Sequence, residues 1–370
     1  MSTPPGHSSG RRGPSGDAGA AAALVVLSFL AALFLYTRHA GMPYYYHSDE
    51  PSKVQQVVGE RPLNFKHPLL LMNATRGLAS LVGVEGDRQA AARAGRFVSA
   101  AFGALAVATL AALAWLEWGL FAALCVAVVV GLSHGLFTFS HFMKEDTALV
   151  FGLAAALLGA CWLLRRPTAA AAAAFGAGCA LALSAKYAGA TVLAVVPPVL
   201  WVALRGQPTD RARGLAAWLT GFAACFAVVN VSVLLDPAGF RAGLAYEADH
   251  VTTGGGRPFA GVLSAAYARS LLAQTTLPVL ALGLGTLGYA FVGWRRRTPS
   301  ERLLVAFPLL YFAVLQVAPI KATRYLLPVV VAVHAAAGVG VAALARSLAA
   351  RVPALASPRR RAALGAALLA

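Results

Sequence analysis

The chain has 370 residues, of which 59% are apolar and only 12% charged, with a net charge of +17. Soluble domains carry roughly twice that share of charge, so the composition excludes an ordinary soluble enzyme and points to an integral membrane protein. The positive excess sits mostly in short stretches between apolar windows, where the positive-inside rule expects it, and no nucleic-acid partner is called for.

In chain order, residues 1–17 are rich in Ser, Gly and Pro and read as a disordered cytoplasmic tail. The first apolar window follows at 19–37. Its length, and polar Thr37-Arg38-His39 after it without a small-residue cleavage site, favour a retained anchor over a signal peptide. Further windows fall at 94–115, 118–138, 146–164, 168–185, 187–204, 214–235, 269–293, 302–319 and 325–345. The expected fold is therefore all-α, a polytopic bundle of about ten spans over residues 18–348. Residues 349–370 read as a basic cytoplasmic segment with the start of a further span, since Ala362 to Ala370 alone is too short to cross.

With the amino terminus inside, the arginines at 165–166, 205–213, 295–302 and 346–361 all land on the cytoplasmic side. Ten of the fourteen acidic residues then fall outside: Asp49, Glu50, Glu60, Glu85, Asp87, Glu145, Asp146, Asp236, Glu247 and Asp249. Lys186, Lys321 and Arg324 sit at the outer lip of a span. Polar groups collected on one face of a membrane bundle point to a site there. Two outer connections are long, 38–93 and 236–268, and the first has room for surface helices at Pro51–Val58 and Leu69–Leu81. Cys125, Cys161, Cys179 and Cys225 all lie in apolar stretches without metal-type spacing, so neither a disulfide framework nor a thiolate site is expected.

Five polar islands carry the chemistry. Asp49-Glu50 follows the first span; adjacent side chains diverge by about 100° on a helix, so the two acids cannot share one pocket equally. Asn64-Phe65-Lys66-His67-Pro68 lies in the same loop, and His67 serves either as a structural cap or as a contact in the cavity. Asp146 opens the fourth span, where an acid is also a good cap. Lys186-Tyr187 interrupts an apolar run, by snorkelling or for an anionic ligand. Lys321 and Arg324, three apart before Tyr325, offer a fork and an ammonium suited to phosphate. Carboxylates facing cations are what moving a group off a lipid phosphate requires: a base for the acceptor hydroxyl and positive charge for the departing phosphate.

These islands, in this order, resemble the superfamily C glycosyltransferases, above all the protein O-mannosyltransferases and the bacterial transferase that puts aminoarabinose on lipid A. The resemblance rests on Asp49-Glu50, Phe65-Lys66-His67-Pro68, Asp146, Lys186-Tyr187-Ala188-Gly189 and Lys321-Ala322-Thr323-Arg324-Tyr325-Leu326-Leu327-Pro328, over residues 20 to about 345. It implies an inverting transfer of a sugar from a polyprenyl-phosphate donor to a hydroxyl of a protein, glycolipid or cell-wall acceptor, on the outer face of a bacterial inner membrane. Asp49 would be the base, with Glu50 and Asp146 beside it. Lys186, Lys321 and Arg324 would take the phosphate, and His67, Tyr325, Tyr246, Glu247 and His250 would line the cavity. No cofactor is assigned; relatives differ over a divalent metal, which Asp49, Glu50, Asp146 and a histidine could hold although no spacing demands it. The soluble carboxy-terminal domain of some relatives is missing from the pattern. A transporter or flippase of lipid-linked sugars is the rival reading, and a non-catalytic envelope protein a third. Both fit charges at an outer lip less well, a transporter because it places them mid-span.

Overall fold

The computed structural model describes residues 18–84, 86–205, 208–253, 265–318 and 320–351, with Ala363, Ala366 and Ala367. The expectations for residues 1–17, for Glu85 and for the basic segment beyond residue 351 otherwise lie outside the described residues, as does the middle of the second long loop. Among the described residues there are helices and no strands.

The first helix, α1 (Ala18–Thr37), carries no charge and at 20 residues is about 30 Å long, enough to cross hydrocarbon. The loop after it holds two short helices, α2 (Glu50–Val57) and α3 (Leu70–Leu81), close to the bounds expected. They do not merely rest on the bundle: Val54, Leu69, Leu70, Leu71 and Met72 are all buried against it. Helix α4 (Arg88–Trp118) starts on a capping Asp87, whose carboxylate accepts the Gln89 and Ala90 N–H groups, and stops at Gly119 with φ of +89°. There the chain turns back into α5 (Leu120–Gly131) and α6 (His134–Ser140), bent 60° against each other. Tyr36 Oη donates to the Gly131 carbonyl at 2.9 Å and ties α1 to the end of α5.

Helices α7 (Asp146–Arg165), α8 (Ala169–Ala185) and α10 (Pro208–Val229) pack backbone to backbone, with α9 (Val196–Ala203) and a 3-10 segment at Tyr187–Val195 between the last two. The contact is made through glycine. A Cβ on Gly152 would meet the Ala182 backbone, one on Gly178 the Ala156 backbone, and one on Gly176 the Trp218 carbonyl. Small residues are the usual way for membrane helices to approach this closely, since lipid offers them no hydrophobic drive to associate. The second long loop carries α11 (Val231–Leu235) and α12 (Pro237–Thr253), followed by α13 (Ala266–Gln274), α14 (Leu277–Val292), α15 (Pro299–Val317) and α16 (Leu327–Arg351).

Among the described residues six helices are long and apolar enough to cross a membrane, and eight segments qualify if the bent pairs α5–α6 and α13–α14 each count as one. The windows at 168–185 and 187–204 form shorter apolar helices below that length, so the expected ten become six to eight by length and composition. At 17 residues α8 is about 25 Å long, short of the roughly 30 Å core of a bilayer. The chain runs up and down, so each helix has one end at each side of the bundle. Asp49, Asp146, Lys186 and Arg324 share one end, the site end. Arg165 and Arg346 share the far end with the start of α15.

Candidate active site

The site end is organised around Arg96, a fully buried arginine on α4. A guanidinium in such surroundings needs its donors satisfied, and every partner comes from the loop after α1. Its Nε and Nη2 form a fork on the two oxygens of Glu50, at 2.9 and 2.5 Å. Nη1 donates to the carbonyls of Ala40 and Met42, and Nη2 to that of Pro43. Glu50, also fully buried, accepts the Met143 N–H at 2.9 Å as well. One ion pair thus fastens the 40–50 loop to α4 and to the 141–145 turn. The geometry is the bidentate one that only arginine provides.

With Glu50 turned inward, Asp49 is turned outward, its side chain 35% exposed. It pairs with Lys144 and lies 3.8 Å from Arg324 Nη2. Partial burial pushes the Asp49 carboxyl up, but the hydrogen bond and charge of Lys144, then the charges of Arg324 and Lys53, outweigh it and hold the group down at about 2. Asp49 is therefore an ionised carboxylate at any ordinary pH. Lys144 is itself buried, and its main chain exchanges hydrogen bonds with Ser99 Oγ at 3.1 and 3.2 Å.

Asp146 begins α7, where the helix dipole favours negative charge. Its Oδ1 accepts from Lys186 Nζ at 2.8 Å, while Oδ2 is buried without a hydrogen-bond partner among the described residues. Lys186 sits where α8 gives way to the 3-10 segment, and its ammonium lies 4.6 Å from the centroid of the Tyr325 ring. The Arg324 guanidinium lies 5.4 Å from the same centroid. Tyr325 therefore links two of the three cations that the resemblance assigns to phosphate.

A third group lies alongside. Lys53 on α2 pairs with the buried Glu145 and donates to the Met143 carbonyl at 3.2 Å. Burial raises the Glu145 carboxyl, yet Lys53, His67 and Lys144 around it keep the group well below the ordinary range. His67 is lowered by burial, with Glu145 and Glu247 opposing and Lys186 and Lys53 reinforcing, so it stays neutral near pH 7. Its Nδ1 is buried with no hydrogen bond among the described residues. Helix α12 covers this corner: Gly243 lies against Phe65, Lys66 sits 3.8 Å over the Tyr246 ring, and Tyr187 Oη donates to the Phe65 carbonyl at 2.7 Å.

The structure thus brings together Asp49, Asp146, Lys186, Arg324, Tyr325 and His67, with Glu247 near enough for its charge to reach His67. Glu50 lies behind them on Arg96. Lys321 is placed differently: its ammonium donates to the carbonyls of Leu315, Gln316 and Ala318 at 2.8, 2.8 and 2.5 Å, closing the last turn of α15. Tyr246 and His250 stack on each other along α12, with centroids 6.1 Å apart. Sequence reasoning gave no role to Lys144, Lys53 or Arg96. The available signal was that a charge inside or beside an apolar helix needs a partner.

Four carboxylates are each paired with a cation here: Asp49 with Lys144 and, at 3.8 Å, Arg324, Glu50 with Arg96, Glu145 with Lys53, and Asp146 with Lys186. Acids neutralised one by one are poor ligands for a divalent ion. No group of three or more His, Cys, Asp or Glu gathers as a metal site among the described residues. The residues present do not fit the metal of some relatives. All four cysteines are free thiols.

Fold and site together define a polytopic helical membrane protein with an ionic pocket at one end. The family model for dolichyl-phosphate-mannose-protein mannosyltransferases matches residues 86–241. No curated protein matches over the sequence. Among solved structures, the chain is similar to ArnT from Cupriavidus metallidurans in the apo state, with a TM-score of 0.64 and 20% identity over 91% of this chain and 63% of that one. It is similar to the same protein bound to undecaprenyl phosphate, with a TM-score of 0.58 and 18% identity over 90% of this chain and 65% of that one. The apo oligosaccharyltransferase of Archaeoglobus fulgidus gives a TM-score of 0.60 at 14% identity over 96% of this chain and 56% of that one. The chain therefore spans just under two thirds of the length of the ArnT structures. Its fold is similar to that of the ArnT and archaeal oligosaccharyltransferase structures, in agreement with the resemblance read from the motifs.

Proposed function

We propose that this chain transfers a sugar from a polyprenyl-phosphate donor to an acceptor hydroxyl, with inversion, on the outer face of a bacterial inner membrane. The observation that carries the reading is Asp49: an ionised, half-exposed carboxylate held between Lys144 and Arg324, beside a second pocket of Lys186, Tyr325 and Asp146. In this reading an acceptor hydroxyl sits on Asp49. Its oxygen attacks the anomeric carbon from the face opposite the phosphate, the C–O bond to phosphate breaks, and Asp49 takes the hydroxyl proton. The phosphate leaves as an anion toward Arg324 and Lys186, so no general acid is needed.

A carboxylate held at about 2 is a weak base. A donor phosphate would draw Arg324 toward itself and remove one of the charges that depress Asp49, making it more basic when donor is present. Glu50, buried on Arg96, acts as a positioning residue that fixes the loop carrying Asp49. The acceptor corner would be the His67, Glu145 and Lys53 group under α12, which could bind a protein, glycolipid or cell-wall hydroxyl.

The test is transfer in reconstituted membranes from labelled undecaprenyl-phosphate sugars to envelope acceptors. Asp49→Asn should keep donor binding and lose about 10²–10⁴ in rate, the usual share of a general base. Unchanged transfer by this variant would remove Asp49 from the chemistry. Movement of lipid-linked sugar across the bilayer without any transfer would favour a flippase.

A further inference from the structure

One large apolar cavity lies away from the ionic site. It lies below it, between α4, α7, α14, α15 and α16, with a volume of about 740 Å³. That is within the range of about 300–1,000 Å³ typical of small-molecule sites. Its upper end reaches Val150, one turn below Asp146, and Pro328 at the start of α16; its lower end reaches Arg346. From Pro328 to Arg346 along α16 is about 27 Å at the helical rise, close to the thickness of a hydrocarbon core. The walls are mostly leucine, valine and alanine.

The far end of this shaft is charged. Arg165, Arg297 and Arg346 line it, and Arg295 and Arg296 wall the recess beside it. The acids present are already committed. Both oxygens of Glu117 are taken by Arg165, at 2.8 and 2.9 Å, and one also accepts from Ser300 Oγ at 3.0 Å. Glu301 closes the capping box with Thr298 and takes the Trp118 indole N–H at 3.4 Å. Two buried donors on the lining, Arg297 Nε and Trp115 Nε1, have no hydrogen-bond partner among the described residues. A shaft that is apolar along its length, cationic at its mouth and left with unmatched donors suits a lipid that places a hydrocarbon chain in the shaft and an anionic oxygen head at the mouth.

We infer that this cavity is a binding site for an anionic glycerophospholipid, with its phosphate head on Arg297 and Arg346 and an acyl chain in the shaft below the ionic site. The head sits at the end of the bundle opposite Asp49. That separates it from the sugar donor, whose phosphate belongs at Arg324 and Lys186 in the reading above. The inference stands on the cavity and its rim, and does not depend on transfer.

The test is lipid binding to the full chain in detergent, read by native mass spectrometry, with phosphatidylglycerol and phosphatidylcholine of identical chains titrated separately. Wild type should hold phosphatidylglycerol at least tenfold more tightly than phosphatidylcholine. The pair Arg297→Gln and Arg346→Gln should remove that preference, while Ala335→Phe, which narrows the shaft, should weaken both lipids at least tenfold. Unchanged elution and melting temperature in each variant exclude unfolding as the cause. Inorganic phosphate at millimolar concentration should not displace the lipid. Displacement by phosphate would make this a free-anion site and overturn the lipid. Equal affinity for the two head groups, or binding untouched by Ala335→Phe, would overturn the site. So would a preference for undecaprenyl phosphate over phosphatidylglycerol, which would make the shaft a seat for the donor's tail.

Discussion

Two adjacent acids with opposite fates show how finely the pocket is specified. Glu50 is fully buried on the Arg96 fork, and removing its charge strands a guanidinium away from water. Breaking a buried pair in this way costs about 3–5 kcal/mol, so Glu50→Gln should lower the melting temperature and the yield of folded protein. Asp49→Asn should do neither to a comparable degree, because the Asp49 side chain is itself 35% exposed and solvent can take its place beside the buried Lys144. Thermal unfolding of the two variants side by side checks the difference. The pH response belongs to the same residue. The folded-state value of Asp49 lies at about 2, below the roughly 3.9 of a free aspartate. Its ion pair therefore stabilises the fold fully above the unfolded value and loses that effect as pH falls through about 2. Lys144→Met removes the main depressing charge and leaves burial, which raises the group. The acid limb of transfer against pH should then move up, against the remaining pull of Arg324 and Lys53, and an unmoved limb would show that Asp49 does not set it. Asp49, Asp146 and Arg324 were legible because each stands in a polar island between apolar windows. Lys144 and Arg96 were not, since their partners are 95 and 46 residues away in sequence and only the folded bundle joins them.

Helices hold that pocket in register, and glycine decides how closely. The Asp146–Lys186 pair joins the first residue of α7 to the residue just past the end of α8, so its length follows the distance between the two helices. Gly152 touches the Ala182 backbone within two turns of both ends. Gly152→Leu should push α7 and α8 apart, stretch the pair and reduce both thermal stability and transfer, whereas Gly285→Leu, at a glycine with no neighbour within 4 Å, should leave both unchanged. Equal effects from the two would show that the close contact is unimportant. The helices themselves were readable from apolar windows, and the surface helices α2 and α3 from their place in a long loop. The turn between α13 and α14 was not. One window covered 269–293, yet the chain bends by 117° there. The signal was Pro278, which suits the first turn of a helix, after Thr275 and Thr276 in extended backbone. Hydropathy averages over such a break, because it counts apolar residues and not their direction.

At the scale of the molecule, charge is sorted between two ends. The site end carries Asp49, Glu50, Glu145 and Asp146, each paired with a cation. The far end carries the arginines at the close of α7, before α15 and at the close of α16. This sorting was foreseen from loop charge alone, and the up-and-down path of the helices reproduces it. Sorting alone does not orient a bundle; the membrane does, by retaining arginine-rich loops on the cytoplasmic side. The arginine end should therefore face the cytoplasm and Asp49 the outer space, where a lipid-linked donor and an envelope acceptor can meet. Single cysteines decide it. Ser48→Cys is exposed beside Asp49, and Arg166→Cys is exposed at the far end, while Cys125, Cys161 and Cys179 are buried and add little background. A membrane-impermeant maleimide given to intact cells whose outer barrier has been made leaky should label Ser48→Cys and leave Arg166→Cys untouched until the inner membrane is opened. The reverse pattern would put the ionic site in the cytoplasm, where it would face nucleotide sugars, and the polyprenyl donor would lose its rationale.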